Sequence, residues 1–233
     1  MKNLLPVLLT LISLIANAQQ KAAFEVHFSP NFTDQTKKLS DNKGKMGYGF
    51  GVLLALPLKE QKWEGILGLE LSTFGSKNEI DDIRWGTQHN GNGGFDPNAP
   101  SGEALSGVKI KHNFFYFQLP LGLRYYLSHQ KIKVFLQPAL APAMYLTAQT
   151  KTVYLMNDGP NESTSSWGGN FITRKYNLFA RLGIGLAIPL GEKTGLNIQP
   201  HGGIQLLSTA PNSSTGARLY SAGLDVAFRY RFY

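Results

Sequence analysis

The final fifteen residues, Leu219 to Tyr233, read LYSAGLDVAFRYRFY and sort into two faces. Tyr220, Ala222, Leu224, Val226, Phe228, Tyr230 and Phe232 fall on one face, and Ser221, Gly223, Asp225, Ala227, Arg229 and Arg231 on the other. Successive side chains of a β-strand point to opposite sides, so this spacing predicts a strand with one apolar and one polar face. The segment matches a tilted strand that crosses a bilayer, roughly 9 to 11 residues plus its rims, and it closes the chain on an aromatic residue. That combination points to a β-barrel that spans a membrane.

The other end of the chain sets the compartment. MKNLLPVLLTLISLIANAQQ carries Lys2, an apolar run from Leu4 to Ala16 and the small-x-small pattern Ala16-Asn17-Ala18. It reads as an export leader over 1–18, cleaved after Ala18, with one domain over 19–233. The apolar run is too short to cross roughly 30 Å of hydrocarbon as a helix. No cysteine is present, so no lipid anchor, disulfide or Cys-ligated metal is available. After the leader, no stretch approaches the roughly 18 apolar residues that a helical span needs. A membrane, if crossed, is crossed by strands. The net charge of +8 favours anionic surfaces such as lipopolysaccharide phosphates. Export, and the lack of a helix-turn-helix, zinc-finger spacing or dense basic run, speak against nucleic acid.

Two-residue periodicity bounded by turn residues predicts eight strands, near 22–29, 46–57, 63–75, 110–127, 132–148, 174–190, 195–208 and 218–233. Connections after the second, fourth and sixth are short, and those after the odd-numbered strands are long. Such alternation belongs to an all-β, eight-stranded antiparallel transmembrane β-barrel of up-and-down topology, with both chain ends in the periplasm. Tyr48, Phe50, Val52, Leu54 and Leu56 oppose Gly47, Gly49, Gly51 and Ala55; Phe115, Phe117, Leu119, Leu121, Leu123 and Tyr125 oppose Gln118, Gly122 and Arg124. An eight-stranded lumen is too narrow for so many bulky residues, so the apolar faces are expected outward, with glycines and charges inward. Trp63, Tyr125, Tyr176, Tyr220 and Tyr230 stand toward the ends of those faces, where aromatic girdles sit. Pro120, Pro138, Pro142 and Pro200 fall inside expected strands and predict bulges or rim positions there.

The segment YFQLPLGLRYYL, Tyr116 to Leu127, together with KVFLQPALAPAM and the Gly-rich strands, resembles the PorT-like, OmpX-like group of outer-membrane β-barrel domains. Gln118 stands where a carboxylate is common in that group. The resemblance spans the whole mature chain and implies an eight-stranded barrel in the cell outer membrane. Its founding member is associated with protein secretion, so the implied role is that of a secretion-accessory or interaction protein.

The expected inward faces carry Glu25, Glu64, Glu70 and Asp225 against Arg124, Arg181, Arg229 and Arg231. Charges in a narrow lumen are costly unless paired, so the balanced set predicts an ion-pair plug that fills the barrel. A charge-selective channel lining is the alternative for the same residues. His27, His89, His112, His129 and His201 lack metal-ligand spacing, so neither metal nor cofactor is expected. A lipid-modifying enzyme, with His112 or His129 beside a serine, is the alternative in another class, but no GxSxG supports it. The expected protein is therefore non-enzymatic. Its expected partners are outer-membrane lipid and lipopolysaccharide, the barrel assembly machinery reading Phe232 and Tyr233, and secretion-system proteins or extracellular ligands. Recognition is expected on the loop Lys77 to Gly107, rich in Gly, Asn and Pro. Glu79, Asp81 and Asp82 in it read as a solvated acidic turn or as holders of a divalent cation.

Overall fold

The alternating faces become strands that run antiparallel around a ring until the last meets the first. The computed structural model describes residues 22–36, 42–58, 62–85, 105–128, 130–156, 160–168, 174–209 and 217–232. The expected leader over 1–18, His89, His129 and Tyr233 lie outside them. The strands are β1 (Ala23–Gln35), β2 (Asn42–Pro57), β3 (Trp63–Trp85), β4 (Leu105–Gln118), β5 (Leu121–Tyr126), β6 (Lys133–Met156), β7 (Glu162–Trp167), β8 (Tyr176–Pro189), β9 (Thr194–Gln205) and β10 (Leu219–Arg231). β4 and β5 occupy one place in the ring, both lying between β3 and β6. Pro120 interrupts them, yet Gly68 N still donates to Pro120 O (2.9 Å) and Leu119 N to Pro142 O (2.9 Å). β7 pairs with β6 at Gln149–Tyr154, on the edge that β8 takes at Lys133–Met144. With β1 paired to both β2 and β10, an eight-membered antiparallel barrel closes.

The faces fall as their parity predicts. Phe28 is 50% exposed, Phe50 54% and Leu182 56%, while Glu25, Ser29, Gln118 and Asn197 are buried inside. A sheet whose outer surface is aliphatic and aromatic, and whose inner surface is polar, has the polarity that a hydrocarbon solvent demands. One rim carries the tight turns: Leu58 N bonds to Trp63 O (2.8 Å), Leu127 N to Val134 O (2.8 Å) and Leu190 N to Thr194 O (3.0 Å). The described ends of the chain meet at that rim, where Phe232 N bonds to Ala22 O (2.8 Å).

Five strands outrun their sequence bounds at the opposite rim. β1 continues to Gln35, β3 to Trp85 and β6 to Met156, while β2 begins at Asn42 and β4 at Leu105. Beyond the apolar belt both faces of these strands are mixed, so the periodicity that reveals a strand fades while the backbone ladder continues. β3, with 23 residues, and β6, with 24, are far longer than a crossing of roughly 9 to 11 requires. The expected long loop is thus strand at both ends. Glu79 sits within β3, not in an acidic turn.

The prolines correct another expectation. Pro138 and Pro142 keep their partners Leu182 and Leu178 on β8, and Pro138 is skipped only toward β5. Pro200 keeps Leu224 on β10 and is skipped toward β8. Neighbouring N–H groups of an antiparallel strand serve alternate sides, so each proline forfeits one bond without bulging the chain. The register shifts lie elsewhere: between Gly44 and Gly49 on β2, at Leu146 of β6, and near the far rim between Asp81 and Trp85 on β3 and between Leu105 and Gly107 on β4.

Candidate functional site

The lumen is the most densely functionalised part of the molecule, and it is built in layers. Nearest the tight-turn rim, register sets Glu25 of β1 beside Arg229 of β10, and Glu64 of β3 beside Arg124 of β5. The side chains then reach across the bore. Arg124 donates to both oxygens of Glu25 (2.6 and 2.9 Å), to Glu64 (3.3 Å) and through Nε to Gln137 (2.8 Å). Arg229 Nη1 donates to Glu64 (2.9 Å), Glu25 (3.2 Å) and the Tyr126 hydroxyl (2.9 Å), and Tyr126 in turn donates to Glu64 (2.9 Å). Asn197 supplies a further donor to Glu25 (3.0 Å), and the Arg124 guanidinium lies 4.6 Å from the centre of the Phe135 ring. Two acids and two bases, all buried, neutralise one another in a fixed geometry.

The next layer is asymmetric. Arg181 donates to both Glu70 oxygens (2.6 and 2.6 Å) and to Gln118 Oε1 (2.6 Å), and Ser72 also bonds Glu70. Asp225 faces imidazoles rather than an arginine: His27 Nδ1 and His201 Nδ1 each lie 3.6 Å from it, and His27 Nε2 lies 3.7 Å from Glu70. These separations exceed direct hydrogen bonds. The adjoining cavity, about 20 Å³, is large enough for one water molecule. Gly51 makes room here, since a Cβ would lie 2.3 Å from Leu69 O and 2.6 Å from His27 Nε2.

Above the charges the lumen turns apolar, against the expectation that its wall is only small or charged. Phe74 stacks on Phe179 at 4.8 Å, and Tyr116 meets both edge-on at 5.9 and 5.5 Å. Phe114, Leu219, Ala141, Ala143 and Ala148 complete the layer. Its signal is present in the sequence, because Phe74, Phe114, Tyr116 and Phe179 carry the parity of the polar faces, hidden beside outward Phe115 and Leu178.

Seven of the eight charged residues singled out from the sequence therefore enter the two charged layers. Arg231 does not. It lines the tight-turn mouth with Lys131 and Lys133, around a cavity of about 240 Å³, and no ion pair joins it to an acid among the described residues. His112 turns to Thr150 (3.2 Å). No three His, Cys, Asp or Glu among the described residues are placed to hold a metal ion. Glu79 accepts from Lys43 (2.7 Å), bonds Lys77 and lies 3.6 Å from Lys109, so lysines take the place of the cation considered for it. Asp81 belongs to β3 by its backbone. Phe232, expected as part of the assembly signal, is 44% exposed and meets Tyr230 edge-on at 5.7 Å.

No family model and no curated protein matches the chain. Among solved structures it is similar to Neisserial surface protein A, at 10% identity over 89% of this chain and 97% of that one, with a TM-score of 0.46. It is also similar to a major outer membrane protein from Thermus thermophilus (13% identity, 91% and 99% covered, TM-score 0.45). A third likeness is to the attachment invasion locus protein Ail of Yersinia pestis (10%, 91% and 99%, TM-score 0.37).

Proposed function

We propose that the chain is an outer-membrane β-barrel of a Gram-negative envelope that works as an interaction protein through the strands and loops beyond its apolar belt. The observation that carries this reading is the filling of the lumen: among the described residues, two charged layers and an aromatic layer stack across the bore. A barrel blocked along its axis has its outer surfaces left to act with. β3, β4 and β6 overshoot the belt and supply a rigid base for recognition at one rim. Service to a secretion system, as the PorT-like resemblance implies, is the finer form of this role. It draws support from the resemblance alone.

Two measurements test the proposal. Purified barrel in planar bilayers is expected to give no steady, large conductance; stable open-channel currents would make it a pore. Photo-crosslinkers placed at exposed Glu162 or Ser163, off the charged rows of the barrel, are expected in intact cells to capture a defined envelope or extracellular partner. Capture of lipid alone from both sites removes the protein-interaction role.

A further inference from the structure

Beyond the apolar belt, four adjacent strands carry lysine at one register. Lys43 of β2 is the cross-strand partner of Lys77 of β3, Lys77 of Lys111 on β4, and Lys111 of Lys151 on β6. Paired strands lie roughly 4.8 Å apart, so the row runs about 14 Å around the barrel. Lys77 and Lys111 share the parity of Leu71 and Phe115, the outward face. Lys43, Lys111 and Lys151 are exposed. Like charges set directly opposite one another destabilise a sheet, so such a row calls for a counter-charge. Glu79 supplies it at one end only, to Lys43, Lys77 and Lys109. Lys111 and Lys151 form no ion pair with an acid among the described residues.

The position of the row identifies the missing anion. One same-face step toward the belt lie Asn113, Gln149 and Trp167, cross-strand partners of one another. Trp167 is 61% exposed and stacks on Phe115 at 5.6 Å. Exposed aromatic rings of this kind sit at the boundary between hydrocarbon and headgroups. Two residues along a strand are roughly 7 Å, which carries the lysines from that boundary to the depth of the headgroup phosphates.

We propose that the row binds the phosphorylated headgroup of an outer-leaflet lipid, with a phosphate held between Lys111 and Lys151 and Trp167 against the acyl-chain boundary. The site rests on the membrane reading given above. The test compares the full-length folded barrel with its K111Q/K151Q variant, titrated with diphosphorylated lipid A and with the dephosphorylated lipid. The variant is expected to hold the phosphorylated lipid about thirtyfold more weakly, as two surface lysines warrant. The dephosphorylated lipid is expected to bind both proteins alike, and inorganic phosphate or a soluble sulfated glycan to displace the phosphorylated lipid from neither. Equal affinity of the two proteins overturns the site. So does displacement by the soluble anions, which assigns the row to free phosphate or to a glycan. Gel mobility separates the two layers of inference: a band that does not shift on heating counts against the barrel itself, whereas a shifting band with unchanged lipid binding removes only the lysine site.

Discussion

Arg124 is 1% exposed and faces carboxylates from two walls of the barrel, with an amide beside it. Its Arg124→Gln variant leaves Glu25 and Glu64 with Arg229 as their remaining arginine, a deficit of one positive charge in a buried cluster. The expected loss is about 3–5 kcal/mol, read as a lower urea midpoint for the heat-modifiable band. Pairing Arg124→Met with Glu25→Leu removes a charge of each sign and is expected to cost less than the single change. An unshifted midpoint in the single variant would exclude a stabilising role for the network. At this scale the sequence discloses which residues face inward, since parity places Glu25, Glu64, Arg124 and Arg229 on one surface. It does not disclose that Arg124 prefers Glu25 across the bore to its strand neighbour Glu64, because that choice depends on the width of the barrel. Nor does it reveal that Asp225 meets two histidines or that Arg231 stands at the mouth.

The extension of β2, β3 and β4 past the belt is tied by Glu79, whose carboxylate takes Lys43, Lys77 and Lys109 from three strands. Hydrogen bonds from Lys43 and then Lys77 hold its carboxyl down to about 2, below its ordinary 4.5. A lowered folded-state value means that the stabilisation is complete above about pH 4.5 and is lost as pH falls toward 2. Amide exchange in Ser76–Ile80 and Lys109–His112, corrected for intrinsic rates, should therefore quicken between pH 5 and pH 2 in the native chain. Glu79→Gln should show the faster exchange already at pH 5. Added salt should narrow the difference, since these groups meet solvent. A native chain whose exchange is flat across this range would mean that the clamp does not order the extension. The apolar strand cores are legible from periodicity, but these extensions are not, because hydrogen bonds to a neighbour maintain them after the two-faced pattern has ended.

For the whole molecule, the decisive contact is the seam between β1 and β10, running from Ala23↔Arg231 to Gln35↔Leu219. It joins the two ends of the strand sequence and leaves no ring strand with an open edge in the belt. Phe232 finishes the seam through its bond to Ala22, and its ring extends the outward apolar file. Deleting Phe232 and Tyr233 is expected to reduce the heat-modifiable barrel recovered from outer membranes severalfold, with unfolded chain accumulating in the periplasm. Undiminished recovery would mean that the terminal aromatics carry no assembly signal.

The sequence by itself determined the strand class, the two faces and the count of eight, because a period of two residues and the spacing of turns are local properties of the chain. It also determined which charges share a surface. The partners of those charges, the stacking of the inward aromatics into one layer above them and the lysine row across four strands were decided by tertiary structure alone. Each depends on register and on the distance across the bore, and neither is defined until the sheet has closed on itself.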